Sequence, residues 1–68
     1  ERQGLSLVTR REMEVLSLIA RGATNSEIAA EMVIAETTVK THVSSLMSKL
    51  AARDRVALVL FAQRAGIA

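Results

Sequence analysis

From Thr37 to Leu50 the chain places two Lys, one His and six hydroxyl residues in a stretch without a single acid. Ammonium and hydroxyl groups donate hydrogen bonds and neutralise anions, and the absence of carboxylates leaves nothing there to repel a polyanion. The positive charge is concentrated in this half of the chain. Residues 1–36 hold four Arg against six Glu, a balance of −2, whereas residues 37–68 hold two Lys and three Arg against Asp54 alone, a balance of +4. Bond-making chemistry has no comparable foundation. His42 is the only histidine and there is no Cys. No Ser or carboxylate stands at a spacing that pairs with His42, so neither a nucleophile with its base nor a metal cage can be assembled, and an enzyme is the weakest reading. No cofactor is expected. An ordinary solvated helix face is the competing account of the charge, and the elements that carry these residues decide between the two.

A length of 68 residues allows one domain with one small core, since chains this short bury only about 60% of the surface that their unfolded form exposes. Half of the residues are apolar, yet Phe61 is the only Phe, Trp or Tyr. With no Cys there is no disulfide staple, and three Gly with no Pro leave little punctuation for the many turns of a β fold. Aliphatic helix packing remains, and the fold class expected is all-α. No apolar run approaches the ~18 residues of a membrane span and nothing has the form of a signal peptide, so a cytoplasmic domain without membrane contact is expected. Residues 1–7 open on Glu1, Arg2, Gln3 and Gly4 with no initiator Met, as a linker remnant of a longer protein would.

Four helices are marked by caps and periodicity. Thr9 with Glu12 three residues later forms a capping box that opens the first, and Gly22 can take the left-handed conformation that closes it. Val15, Leu16 and Ile19 share its core face, with Arg10, Glu12, Glu14 and Arg21 turned largely away. Thr24 and Glu27 form a second box, opening a short helix whose Ile28, Ala29 and Met32 make an apolar stripe. After the apolar turn of Val33, Ile34 and Ala35, a longer helix runs from about Glu36 to Leu50. Its Val39, Val43, Leu46 and Leu50 recur at steps of four, three and four, Met47 widens the stripe, and Thr41, Ser45 and Ser48 point away from it. Asp54 caps a final helix from about Arg55 to Ala65, and Gly66 ends it. A short capped helix, a tight apolar turn and a second helix with a small, polar, basic face make a helix-turn-helix over about residues 24–50 within a four-helix bundle. A helix of this kind fits the major groove of B-DNA, where Lys40 can donate to a guanine edge or a phosphate.

The segments Thr9-Arg10-Arg11-Glu12-Met13-Glu14-Val15-Leu16, Gly22-Ala23-Thr24-Asn25-Ser26-Glu27-Ile28-Ala29, Thr38-Val39-Lys40-Thr41-His42-Val43, Lys49-Leu50 and Arg53-Asp54-Arg55 carry a further signal. In this order they resemble the C-terminal DNA-binding domain of LuxR-type (NarL-type, GerE-like) transcription regulators, over nearly all of residues 7–67. The resemblance implies the output domain of a bacterial response regulator or quorum-sensing receptor, whose third helix reads double-stranded promoter DNA. Carried over by position, base reading falls on Lys40, Thr41 and Ser44, and DNA backbone contacts fall on Asn25, Thr37, Thr38, His42 and Lys49. For Thr38 the alternative is a residue that only starts the helix, and for His42 a histidine at the core edge held by a hydrogen bond.

Four positions depart from the family pattern, the mildest being Val8 where Leu is usual. Val33 and Ala35 stand where Gly and a Ser or Thr cap are usual, and Ala51 replaces the Gly that often follows Lys-Leu. Because a β-branched residue at positive φ is costly, the turn is expected to hold Val33 at negative φ with its side chain partly buried. Glu36 and Thr37 are candidates to cover the free N–H groups that Ala35 cannot, and Ala51 argues against a left-handed cap.

From Val56 to Ala62 every residue is apolar, more than one core-facing stripe needs. If Leu58, Val59 and Ala62 face the core, as the family pattern implies, then Ala57, Leu60, Phe61 and Arg64 form a second face. A homodimer formed on DNA through this dimerisation helix, about residues 55–65, is expected, with cover by an N-terminal regulatory domain outside this chain as the alternative. RNA polymerase is a further partner in such a system. A sigma-factor region and a helical protein-interaction module are the other readings; only sequence preference on duplex DNA separates the last of these from a reader.

Overall fold

Local hydrogen bonds set where the chain becomes helical. The computed structural model describes residues 2–67 and contains α1 (Arg2–Ser6), α2 (Arg10–Ala20), α3 (Asn25–Met32), α4 (Glu36–Lys49) and α5 (Arg55–Arg64). The fold is all-α as expected, and α2 to α5 are the four helices read from the sequence. The addition is α1, within the residues read as a linker remnant. It lies against the end of α4 at Gly4, where a Cβ would meet the Lys49 carbonyl oxygen at 2.7 Å.

Both capping boxes form. The Thr9 hydroxyl accepts from the Glu12 N–H at 3.2 Å while Glu12 Oε1 accepts from the Thr9 N–H at 3.0 Å. Thr24 and Glu27 repeat the exchange at 3.1 and 2.9 Å. Asp54 Oδ1 caps α5 by accepting from the Ala57 N–H at 2.9 Å. At α4 the cap position is Ala35, and among the described residues no side chain, Glu36 and Thr37 included, is seen to cap it.

The same device stops all four longer helices. An N–H two or three residues past the helix end bonds back to the carbonyl five residues earlier: Ala23 to Leu18, Ile34 to Ala29, Ala52 to Met47 and Ile67 to Ala62, at 2.8 to 3.1 Å. This closure requires a left-handed residue just before the donor, and the residues there are Gly22 (φ 91°), Val33 (φ 56°), Ala51 (φ 55°) and Gly66 (φ 74°). The expectation of Val33 at negative φ, partly buried, is therefore overturned, as is the argument against a left-handed Ala51. Val33 is 88% exposed. The reason lies one residue on. Ala23, Ile34, Ala52 and Ile67 all pack against the core, and Ile34 can reach it only if the chain reverses at Val33, whatever the cost of a β-branched side chain there.

Val15, Leu16 and Ile19 of α2, Ile28 of α3, Val39, Val43 and Leu46 of α4, and Leu58 and Ala62 of α5 form one aliphatic core. Within it α2 is central, packed on both α5 and α4, while α3 leans chiefly on α4. Met47, Leu50, Val59 and Phe61 are partly buried against it. Among the described residues no helix is long and apolar enough to cross a membrane.

Candidate nucleic-acid interface

With Val39, Val43 and Leu46 buried, the opposite side of α4 is fixed by helical geometry. Thr37, Lys40, Thr41, Ser44 and Ser48, spaced at i, i+3, i+4, i+7 and i+11, are all exposed and form one row. The three residues expected to read bases, Lys40, Thr41 and Ser44, lie side by side in it. Thr38 is exposed beside the row, and His42 is half-buried next to the core stripe, where no described residue bonds its ring. The Thr41 hydroxyl donates to the Thr37 carbonyl at 3.1 Å, which leaves its oxygen lone pairs and methyl group for a ligand. No carboxylate interrupts the row; Glu36 precedes it at the first turn.

Two expected orientations differ. Glu12 does not turn away from the core but is buried between α2 and α4. Its Oε2 accepts from the Ser45 hydroxyl at 2.6 Å and its Oε1 accepts from the Lys49 ammonium at 2.7 Å. Ser45 thus faces α2 rather than solvent. Burial by itself would raise the Glu12 carboxyl, but the hydrogen bonds from Lys49, Ser45 and the Thr9 backbone, with the charge of Lys49, outweigh it and lower its pKa from 4.5 to about 2. The ammonium of Lys49, expected at a DNA phosphate, is held in this ion pair with its side chain 27% exposed. The tie could have been sought in the sequence: Ser45 and Lys49 stand four apart on one face of α4, and a capping-box Glu has a second oxygen to spare.

Asn25 opens α3 half-buried, and its Oδ1 accepts from Arg55 Nη1 at 2.6 Å. Arg55 Nη2 also donates to the Ala23 carbonyl at 2.6 Å. Sequence reasoning placed no role on Arg55, since nothing local pairs residues thirty positions apart. On α5, Ala57, Leu60, Phe61 and Arg64 line a groove of about 260 Å³ together with Leu50 and Ala51 at the end of α4. Leu60 is 45% exposed and Val56, outside the groove, 66%.

Comparison with known proteins meets this geometry. The sequence pattern of bacterial regulatory proteins of the luxR family matches residues 6–62. Over 62 residues the chain is 52% identical to the uncharacterized transcriptional regulatory protein YhcZ of Bacillus subtilis (strain 168), covering 91% of this chain and 29% of that protein. Over 56 residues it is 52% identical to the response regulator protein VraR of Staphylococcus aureus (strain Mu3 / ATCC 700698), covering 82% of this chain and 27% of the relative. The same figures hold for VraR of Staphylococcus epidermidis (strain ATCC 35984 / DSM 28319 / BCRC 17069 / CCUG 31568 / BM 3577 / RP62A). The chain thus spans less than a third of the length of these relatives. By the extent of the family match and the identity to its relatives, the chain belongs to the luxR family of bacterial regulatory proteins.

Proposed function

We propose that this chain binds double-stranded promoter DNA sequence-specifically, with α4 in the major groove, as the output domain of a bacterial transcription regulator. The observation that carries the reading is the exposed, acid-free row of Thr37, Lys40, Thr41, Ser44 and Ser48 on a helix whose other face is core. The major groove is about 12 Å wide and admits a helix whose outward side chains are short. Lys40 donates to guanine O6 or N7. Thr41, its hydroxyl proton already spent on Thr37, accepts from an adenine or cytosine amino group or packs its methyl on thymine. Ser44 does either. Asn25, Thr37, Thr38 and His42 contact phosphates and set the register. Lys49 is assigned to the bundle, because its ammonium is engaged by Glu12.

Response regulators such as the VraR relatives are the setting for the whole protein. The chain then acts in the cytoplasm without catalysing a reaction, coupled to an N-terminal regulatory domain and working with RNA polymerase. Two copies pair on DNA through the α5 groove lined by Ala57, Leu60, Phe61 and Arg64. A patch this small falls well short of the roughly 1,200 Å² of a stable complex, so pairing needs the DNA. Selection from a random duplex pool tests the reading. Recovery of one half-site, with affinity that falls steeply with salt, supports it; binding without sequence preference overturns it in favour of an acidic-partner module.

A further inference from the structure

We propose that Arg55 is a positioning residue that aims the Asn25 amide at DNA. This deepens the DNA-binding reading and rests on it. An Asn amide carries a donor and an acceptor at ends of nearly the same shape, so rotation about its last bond exchanges one for the other. At a phosphate only the NH₂ end is useful, since the carbonyl end sets lone pair against lone pair. The guanidinium of Arg55 removes the ambiguity. It can only donate, and its Nη1 lies 2.6 Å from Asn25 Oδ1. The oxygen must therefore face Arg55, which leaves Nδ2 on the far side, where no described residue accepts from it.

The guanidinium is itself fixed. Its Nη2 donates to the Ala23 carbonyl at 2.6 Å, and a planar fork held at two points cannot swing. The Asp54 cap starts α5 so that Arg55 is its first residue, which places the start of α5 against the start of α3. Arg55 belongs to neither of the ion pairs among the described residues, Arg11–Glu14 and Lys49–Glu12. No carboxylate therefore competes with Asn25 and Ala23 for its guanidinium.

The test is a double-mutant cycle on the 68-residue chain, read as affinity for the selected duplex across a salt series, well below the melting temperature of every variant. Arg55→Met should weaken binding about tenfold with the salt slope unchanged, because a neutral amide contact releases no counterion. In an Asn25→Ala background the same substitution should add less than about a twofold loss, since its effect runs through Asn25. An equal loss in both backgrounds, or a fall in slope of about 0.9, would show Arg55 acting by itself and overturn the proposal. Should Arg55→Met fail to fold, Asn25→Asp serves instead: it keeps an oxygen toward Arg55 but has no donor, and must bind at least as weakly as Asn25→Ala. Retained affinity in Asn25→Asp overturns the proposal. Failure of the wild-type chain to prefer any duplex removes the underlying reading and the proposal with it, whereas a failed cycle on a sequence-specific wild type removes the role of Arg55 alone.

Discussion

Replacing Val33 by Gly should stabilise the domain, although it deletes an apolar side chain. At φ 56° and ψ 52° Val33 sits in the left-handed region, which costs an L-residue about 1–2 kcal/mol, a β-branched one toward the upper end. The side chain is 88% exposed, so deleting it forfeits only about 0.3 kcal/mol of burial. The looser unfolded chain takes back a further ~0.5–1 kcal/mol. The balance is a gain of about 0.5–1 kcal/mol, which for a domain of this size raises the melting temperature by about 2–8 °C. Thermal unfolding followed by far-ultraviolet circular dichroism reads it directly. Gly66→Ala calibrates the backbone part, because Gly66 lies at φ 74° and a Cβ there would meet nothing within 4 Å. That variant should lose about 1 kcal/mol through conformation alone. A lower melting temperature for Val33→Gly, with its helix content intact, would refute the claim that Ile34 packing forces Val33 into strain.

Lys40→Ala should cost about 1–3 kcal/mol of affinity and relax preference at one or two base pairs; a uniform loss over all sequences, seen by competition among duplexes, would mark a phosphate contact instead. Glu12→Gln should destabilise the fold by roughly 1–3 kcal/mol at neutral pH in urea unfolding, since Ser45 and Lys49 lose a charged acceptor while the cap on Thr9 survives. The folded carboxyl is lowered from 4.5 to about 2, so its stabilisation is complete above pH ~4.5 and disappears as pH falls through ~2; the Gln variant should lack that acid-sensitive part of the unfolding curve. Leu60→Asp should abolish cooperative binding to paired half-sites while sparing a single half-site, and unchanged cooperativity in gel-shift titrations with a folded variant would separate α5 from dimerisation.

What could be read from the sequence was what lies within one helical turn. Thr9 with Glu12, Thr24 with Glu27, and Asp54 at the head of α5 are decided by residues three apart, and the Val39, Val43, Leu46 stripe by helical period, so starts and core faces followed directly. Interactions between distant segments did not. Glu12 reaches Ser45 and Lys49 across 33 and 37 residues, and Arg55 reaches Asn25 across 30. The placement of Glu12 on a solvent face therefore failed once α4 packed on α2. Val33 misled for a different reason. Residue preference weighed its own backbone cost but not the burial of the following Ile34, which decided the turn. In the candidate site, the exposed positions of Thr41 and Ser44 agree with the helical period, which puts Lys40 on the flank of the apolar stripe although it too is exposed, whereas the bond from Thr41 back to Thr37 depends on a rotamer that spacing alone does not choose.

The core contains no Trp or Tyr, and Phe61, at the α5 groove, is the chain's only Phe. This makes the protein nearly dark at 280 nm and leaves the near-ultraviolet absorbance of a complex to the nucleic acid. It also makes the Phe61 ring a native magnetic probe. Apart from the imidazole of His42, on α4, it is the only aromatic side chain able to displace methyl resonances by ring current. Methyl groups shifted upfield in a proton spectrum therefore report chiefly on the surroundings of Phe61. The onset of association between two copies through α5 can be followed in those few lines, without a label and without altering a residue.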